Sequence, residues 1–269
     1  MNEFPDYLKS FPREEYEAHV KKLQKEMEAE GLDMLLLSSP ENIFYSTAYR
    51  SWYTSSLFRP VLVFVPKKGE PAISLRILEK STVRNVAWCP AIYAAGTKSR
   101  NLGPLNSEGP VDAMRQFISS LDYPVKTVGL EAGDGQHYFW SLNILKELVD
   151  AFDGLRFVDG TVAIQKARMV KTGWEIDRIR TAGYVTEQAI RDTFSQIRPG
   201  ITTEKEIARG IASRMTAGGV DKISYLTVNS GRDKYHTFNS YATDRIVDHG
   251  DIVLVDISGH IDGYASDLT

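Results

Sequence analysis

The hydrophobic pattern of the first 150 residues switches between the periods of helices and of strands. Apolar residues recur at spacings of three and four over residues 13–30, which predicts an amphipathic helix that ends at Gly31. Short continuous apolar runs, such as Met34–Leu37, are typical of buried strands. The predicted elements are a helix at 13–30, strands at 34–37, 61–65, 72–75 and 125–130, with a hairpin between the second and third, and a helix at 140–152.

The pattern changes near residue 160. Leu155–Gln165 includes Gly160 and predicts a connection between two domains, residues 1–160 and 161–269. A long helix is predicted from Gly173 to Ile197, and Thr203 and Glu206 predict the capping box of the next helix. Three strands are expected after that helix, at residues 223–228, 252–257 and 264–269.

Composition narrows the class of protein. The chain has 269 residues with 32 basic and 35 acidic side chains, a net charge of −3, and ordinary globular proportions. No cluster of basic residues predicts nucleic-acid binding, and no apolar run approaches the length of a membrane span. The N-terminus lacks the apolar region of a signal peptide, and a single cysteine cannot form an internal disulfide. We therefore expect a cytoplasmic protein with no membrane or nucleic-acid partner.

Two acidic residues near the end of the sequence are the strongest candidates for chemistry. Asp256 and Asp267 lie on two apolar strands that a short loop over 258–263 joins into a hairpin. A turn near Ile261-Asp262 would place the two carboxylates directly opposite each other on one face. Like charges at such a place are costly unless a cation compensates them, and hard divalent metals prefer oxygen ligands. The alternative is a pair of solvated aspartates at the rim of a sheet.

The last predicted strand, Tyr264–Thr269, ends the sequence without a following helix. One interpretation is an edge strand that stops there. The other is that the fold continues and that this chain is part of it, because uncovered apolar edge strands promote aggregation.

The residues around the two aspartates resemble a known signature. Gly250–Ile257 and Gly263–Thr269 resemble the signature of the creatinase/methionine-aminopeptidase superfamily, peptidase family M24. Arg168–Ile176 and Arg198–Thr202 are similar to the first helix region of its Xaa-Pro peptidase branch, and Gly31–Tyr45 is similar to its N-terminal domain. The resemblance implies an α/β protein in which a creatinase-type N-terminal domain precedes the first half of a pita-bread catalytic domain.

The resemblance also implies a chemistry. Family members of the peptidase type cleave the bond before a proline and use two divalent ions, commonly manganese, cobalt or zinc, held by Asp, Asp, His, Glu and Glu. Asp256 and Asp267 match the first two ligands, and the other three normally follow them in the chain. We therefore expect this chain to be an incomplete and inactive member, and the complete protein to be a homodimer that acts on a peptide or small molecule.

His236 is the candidate catalytic residue outside the aspartate hairpin. Ser230-Gly231 and Thr243-Asp244-Arg245 match the flanks of a family histidine that helps to position substrate or stabilise an oxyanion. The position of that histidine falls on Asn239, however, three residues after His236. This mismatch leaves open a surface-loop histidine, and it also leaves open the creatine-type, ectoine-hydrolase and dimethylsulfoniopropionate-lyase branches. A non-catalytic dimerising or binding protein is a further alternative.

Four features outside the candidate site have structural interpretations. We expect His19 on the polar side of the first helix, His260 solvated in the hairpin turn, and Cys89 buried and inert. An aromatic group around Arg50 and Arg59 predicts core, an interface or the wall of a substrate pocket. Its members are Tyr45, Trp52, Tyr53 and Phe58.

Overall fold

The computed structural model divides the chain into two compact units, Met1–Val170 and Lys171–Thr269. It describes residues 9–56, 58–96, 105–137, 139–232, 236–237 and 239–269. The division falls one helix after the predicted boundary between residues 160 and 161, because the helix Thr161–Met169 packs on the first helix of the chain. None of the helices in the described part of the chain combines the length and the hydrophobicity that a bilayer crossing requires.

The first unit is a mixed six-stranded sheet with helices on both faces. The strand order is β4-β3-β2-β1-β5-β6, in which β1 pairs antiparallel with β2 and parallel with β5. In chain order the elements are α1 Arg13–Ala29, β1 Met34–Leu37, α2 Pro40–Thr47, β2 Leu62–Pro66, β3 Ala72–Arg76, α3 Lys80–Val86, β4 Ala91–Ala95, α4 Pro110–Ser120, β5 Thr127–Leu130, α5 Leu142–Ala151, β6 Arg156–Asp159 and α6 Thr161–Met169.

The continuous apolar run in β1 reflects burial on both faces of the sheet. Leu35 and Leu37 belong to the core that includes residues of α1 and α6. Met34 and Leu36 point to the opposite side, into the core that includes residues of α4 and α5. Because alternate side chains of a strand face opposite ways, every position of this strand is apolar. The prediction of a buried strand is confirmed.

The predicted connection over Leu155–Gln165 is wrong. The segment forms β6 at the edge of the sheet and the first part of α6. The side chains of β6 are exposed or half-buried, so the strand has no continuous apolar run. The buried face of α6 consists largely of small side chains such as Ala163 and Ala167, which gives a weak helical pattern.

His19 is buried, which contradicts its predicted place on the polar side of α1. Its ring stacks on Tyr45 with centroids 4.0 Å apart, and its Nδ1 lies 3.1 Å from the carbonyl oxygen of Tyr45. Burial lowers the pKa of His19 to about 4. Cys89 is buried as predicted, and burial raises the pKa of its thiol.

The second unit packs two helices against one face of a three-stranded sheet. Its elements are α7 Gly173–Phe194, α8 Glu204–Ala217, β7 Lys222–Ser230, β8 Val253–Ile261 and β9 Tyr264–Ala265, and the strand order is β7-β8-β9. Both helices begin with a capping box, which confirms the prediction at Thr203 and Glu206. The sheet face opposite the helices carries the side chains of the candidate site.

Candidate metal centre

The hairpin of β8 and β9 turns at Asp262-Gly263, later than the sequence predicted. Ile261 pairs with Tyr264, and both turn residues have positive φ values of 49° and 85°. Such a turn matches the right-handed twist of its two strands. The loop predicted over 258–263 is therefore mostly strand, and β8 continues through Ile261.

The position of this turn sets the register of the hairpin, and so it decides which residues lie opposite Asp256 and Asp267, which we call the aspartate pair. The pairing of His260 with Ala265 and the bridge between Ile257 and Leu268 place Thr269 opposite Asp256. Asp267 lies two positions before Thr269, so it is the diagonal neighbour of Asp256 on the same face. The prediction that the two carboxylates are directly opposed is therefore wrong. The prediction that they share one face of the hairpin agrees with the structure.

Tyr225 of β7 joins the aspartate pair across the sheet. It pairs with Ser258 on β8, and its hydroxyl donates to Oδ1 of Asp267 over 2.5 Å. This hydrogen bond raises the pKa of Tyr225 to about 12, with further contributions from burial and from the charge of Asp256. Tyr225, Asp256 and Asp267 therefore lie on the same face of the sheet, as the strand register requires.

Sequence reasoning missed Tyr225, although the pattern of β7 could have found it. In Tyr225–Asn229 the polar residues alternate with Leu226 and Val228, and these two apolar residues belong to the helix-facing core. Alternation of this kind places Tyr225 on the face opposite the helices. The antiparallel pairing of β7 with β8 was the missing information.

His236 lies exposed in a turn of the segment between β7 and β8. Residues 233–235 and 238, which flank it, lie outside the described residues. Asn229 ties down the following part of the segment, since its Nδ2 donates to the carbonyl of Thr237 over 2.6 Å and its Oδ1 accepts from Ser240 over 2.6 Å. Asn239, the alternative position for a site histidine, is also exposed and has a φ of 57°.

The buried carboxylate of Glu204 contacts both ends of the same segment. Its two oxygens accept from the amide and hydroxyl of Ser230 and from the amide and hydroxyl of Thr243, at 2.6 to 2.9 Å. Arg245 donates to the Ser230 hydroxyl and to Asp251, at 2.9 and 2.7 Å. Ser230 at the end of β7 is thereby linked to Thr243, Arg245 and Asp251, which precede β8. These contacts hold together the two ends of the segment that carries His236.

Gly231 is required where this network meets β7. Its φ is +86°, and a Cβ atom there would lie 2.2 Å from the guanidinium of Arg245. A larger residue would displace Arg245 from Ser230. The Ser230-Gly231 and Thr243–Arg245 motifs therefore have a structural explanation in this network.

His260 lies in β8 and not in the hairpin turn, which contradicts the prediction. Its Nε2 lies 2.6 Å from the hydroxyl of Ser224, and the side chain is partly buried. Its backbone pairs with Ala265 and Lys222, so its position belongs to the sheet.

Two family models match consecutive parts of the chain. The creatinase/prolidase N-terminal domain matches residues 19–170, more than half of the sequence, and metallopeptidase family M24 matches residues 177–269. The chain belongs to the M24 metallopeptidase family. The sequence resemblance is thus confirmed, as is the order of a creatinase-like domain and a partial pita-bread domain.

Relatives and solved structures agree with this assignment. An uncharacterized peptidase of Staphylococcus epidermidis is 24% identical over 250 residues, which cover 93% of this chain and 64% of the relative. The dipeptidase PepE of Mycobacterium ulcerans superposes with a TM-score of 0.73 at 24% identity and covers 96% of this chain and 64% of its own. The prolidase of Pyrococcus furiosus superposes with a TM-score of 0.69 at 19% identity. The match covers 92% of this chain and 68% of the prolidase. These structural likenesses show the fold. The chain spans about 64% of the length of the curated relatives that it matches.

M24 enzymes generally depend on two divalent metal ions, and the aspartate pair fits part of such a site. Two carboxylates on one sheet face supply the oxygen ligands that hard divalent ions prefer. Within the described ranges, no three His, Cys, Asp or Glu side chains come together as a metal-binding group. Asp256 and Asp267 thus fit two ligands, and their metal binding stays a prediction.

Proposed function

We propose that the protein is a metal-dependent hydrolase of the Xaa-Pro peptidase type and that Asp256 and Asp267 are its first two metal ligands. The observation that carries the proposal is the strand register that places both carboxylates on the sheet face opposite the helices, where the hydroxyl of Tyr225 donates to Asp267. Membership of the M24 family and the Xaa-Pro dipeptidase of Bacillus anthracis among its structural neighbours, with a TM-score of 0.72 at 20% identity, support the reaction class.

Each residue of the site has a stated role in this proposal. The aspartate pair supplies carboxylate oxygens, and Tyr225 orients the carboxylate of Asp267 by its hydrogen bond. Bound divalent ions would supply a water of lowered pKa and would polarise the scissile carbonyl. His236 is proposed to donate a hydrogen bond to the developing oxyanion, on a segment that Asn229 and Glu204 hold at its ends.

The two carboxylates by themselves are a weak site. Divalent cations of this class take about six oxygen ligands, so most of the coordination would be left to water. We therefore propose that turnover needs further ligands and that the 269-residue chain binds Mn²⁺ weakly without hydrolysing peptides. Rapid hydrolysis of a Xaa-Pro dipeptide by this chain would contradict the ligand assignment.

The test of the function adds Mn²⁺ to a form of the protein that also carries the further ligands that turnover needs. We expect cleavage of Ala-Pro and not of Ala-Ala, and loss of cleavage when Asp256→Asn or Asp267→Asn is introduced into the gene. Asp177→Asn, on the exposed surface of α7, is the matched control. Undiminished cleavage by either site variant would contradict the proposal.

A second candidate is an enzyme of the same family that acts on a small non-peptide substrate, as creatinases, ectoine hydrolases and dimethylsulfoniopropionate lyases do. The observation that favours it is Asn239 at the position where the peptidase branch has its histidine. An asparagine amide is neutral at every pH, whereas an imidazole can become charged. Creatine turnover without dipeptide cleavage would favour this candidate.

We also propose a cytoplasmic homodimer. The aromatic group of the first unit gives partial support, because Tyr45 is buried whereas Trp52 and Phe58 are 87% and 90% exposed. Large exposed aromatic side chains are enriched at protein interfaces. Sedimentation analysis of the protein and of its Trp52→Ser variant tests the dimer, and a monomer at micromolar concentration contradicts it.

A further inference from the structure

Next to Asp267, the side chain of Ser266 points to the helix side of the sheet and is buried there. Its hydroxyl lies 3.0 Å from the hydroxyl of Thr186, which is completely buried on α7. These two residues form what we call the hydroxyl pair. It is a polar contact between α7 and the strand that carries Asp267, inside an otherwise apolar layer.

Each hydroxyl of the pair also has a hydrogen-bond partner in the backbone of its own side of the contact. The Thr186 hydroxyl also lies 2.8 Å from the carbonyl oxygen of Ala182, and the Ser266 hydroxyl lies 3.2 Å from the carbonyl oxygen of Gly259, so either hydroxyl can donate to the other. The amide of Gly259 donates in turn to the Ser266 hydroxyl over 3.1 Å. A chain of hydrogen bonds therefore links the backbone of β8, through the hydroxyl pair, to the backbone of α7.

This arrangement interrupts the strand ladder just before Asp267. In a regular antiparallel pair the amide of Gly259 would donate to the carbonyl of the residue opposite, which is Ser266. Here the side-chain hydroxyl takes that bond, while the amide of Ser266 still donates to the carbonyl of Gly259 over 2.8 Å. The regular ladder of β9 accordingly ends at Ala265, and pairing resumes in the bridge at Leu268.

A strand with so short a ladder has a weakly specified register. A slip of one residue would move each of its side chains to the opposite face, so Asp267 would point to the helices. The contact between Ser266 and Thr186 opposes that slip, because a slipped strand would break the hydrogen bond between the two hydroxyls and would bury a carboxylate among apolar side chains.

We propose that the hydroxyl pair is a positioning device for the aspartate site. By fixing Ser266 against α7, it holds the adjacent Asp267 on the face of Asp256 and Tyr225. Its role in metal binding rests on the proposed function, whereas its effect on the hairpin does not. Thr186 and Ser266 are thus positioning residues that act through Asp267.

The test compares three helix variants of the 269-residue chain. Thr186→Val removes the hydroxyl and keeps the shape of the side chain, and Thr186→Ser keeps the hydroxyl. Thr193→Val is the matched control, since Thr193 is also buried on α7 and also donates to the carbonyl four residues earlier, over 2.7 Å. Ser266→Ala serves as the second test variant if Thr186→Val does not fold.

Two measurements are made on each variant. Native-state amide exchange at Gly259 and Leu268 reports the hairpin without any metal. Electron paramagnetic resonance of free Mn²⁺ gives the dissociation constant of the site. We expect Thr186→Val to exchange faster at both amides and to bind Mn²⁺ about tenfold more weakly, which is the lower end of the loss seen when support of a metal ligand is removed. Thr186→Ser and Thr193→Val should resemble the parent chain in both measurements.

The outcomes separate the two proposals. Equal exchange in Thr186→Val and Thr193→Val overturns the positioning role, and so does an unchanged Mn²⁺ affinity in a chain that binds the ion. A parent chain that does not bind Mn²⁺ counts against the proposed function. In that case faster exchange in Thr186→Val alone still supports the positioning of the hairpin.

Discussion

The hydroxyl of Tyr225 on β7 donates to Oδ1 of Asp267 over 2.5 Å, although the two residues lie on opposite sides of β8. The phenol therefore spans the strand that carries Asp256. A contact of this reach ties three strands together at the point where the two carboxylates repel each other. It places Asp267 on the face that Asp256 occupies through the pairing of β8 with β7.

This contact predicts how Tyr225 titrates. The carboxylate of Asp267 stabilises the neutral phenol, so Asp267→Asn should lower the pKa of Tyr225 from about 12 towards its ordinary value of 10.0. The absorbance change of tyrosinate formation, corrected with Tyr225→Phe, measures it. Tyr184→Phe removes an exposed tyrosine of α7 and is the control, because it should leave the titration of Tyr225 unchanged. An unchanged pKa in Asp267→Asn would show that the hydrogen bond does not form in solution.

Glu204 should contribute more to stability than any exposed carboxylate of α8. It is fully buried and accepts four hydrogen bonds from Ser230 and Thr243, so Glu204→Gln would leave an amide group facing donors. We expect the free energy of unfolding in urea to fall by about 3 kcal/mol. Glu206→Gln, in the capping box of the same helix, should lose less than about 1 kcal/mol. Similar losses in the two variants would contradict the role of the network.

Stability should fall in mild acid because of His19. Burial lowers the pKa of its folded form to about 4, against 6.5 for the exposed side chain. Between these values the unfolded chain binds more protons, so the free energy of unfolding decreases as the pH drops from about 6.5 to 4, by at most about 3 kcal/mol. Urea unfolding of His19→Gln should show a flatter pH dependence, whereas exposed His137→Gln should not. The same slope in both variants would contradict the prediction.

Two glycine substitutions should have opposite effects. Gly263 has a φ of +85° in the hairpin turn, so Gly263→Ala strains the backbone and should lower the free energy of unfolding by about 1 kcal/mol or more. Gly183 lies inside α7 with open space at its Cβ position, so Gly183→Ala should raise it by up to about 1 kcal/mol. Thermal unfolding of both variants measures the difference, and a stabilised Gly263→Ala would contradict the observed turn.

Elements with a strong local pattern could be predicted from the sequence. The stripe of α1, the apolar run of β1 and the capping box at Thr203 each follow from neighbouring residues, and the structure confirms all three. Edge elements such as β6 were missed because half-exposed strands lack both the alternation and the continuous run. His19 was misplaced because its burial depends on stacking with Tyr45, which is distant in sequence.

The candidate site was predictable in composition but not in register. The spacing of Asp256 and Asp267 is visible in the sequence, and so is the hairpin between them. Their diagonal relation depends on the turn at Asp262-Gly263. Two long-range contacts are compatible with that turn: the 3.1 Å ion pair of Asp262 with Arg178, and the contact of Ser266 with α7. Such long-range contacts select one register among several that the local pattern allows.

The binding of Mn²⁺ to the 269-residue chain tests the central claim most directly. Electron paramagnetic resonance should detect weak, saturable binding by the parent chain, unchanged binding by the surface variant Asp177→Asn, and no saturable binding by Asp256→Asn or Asp267→Asn. Equal Mn²⁺ affinity in the parent chain and in both site variants would contradict the claim that the aspartate pair holds the metal.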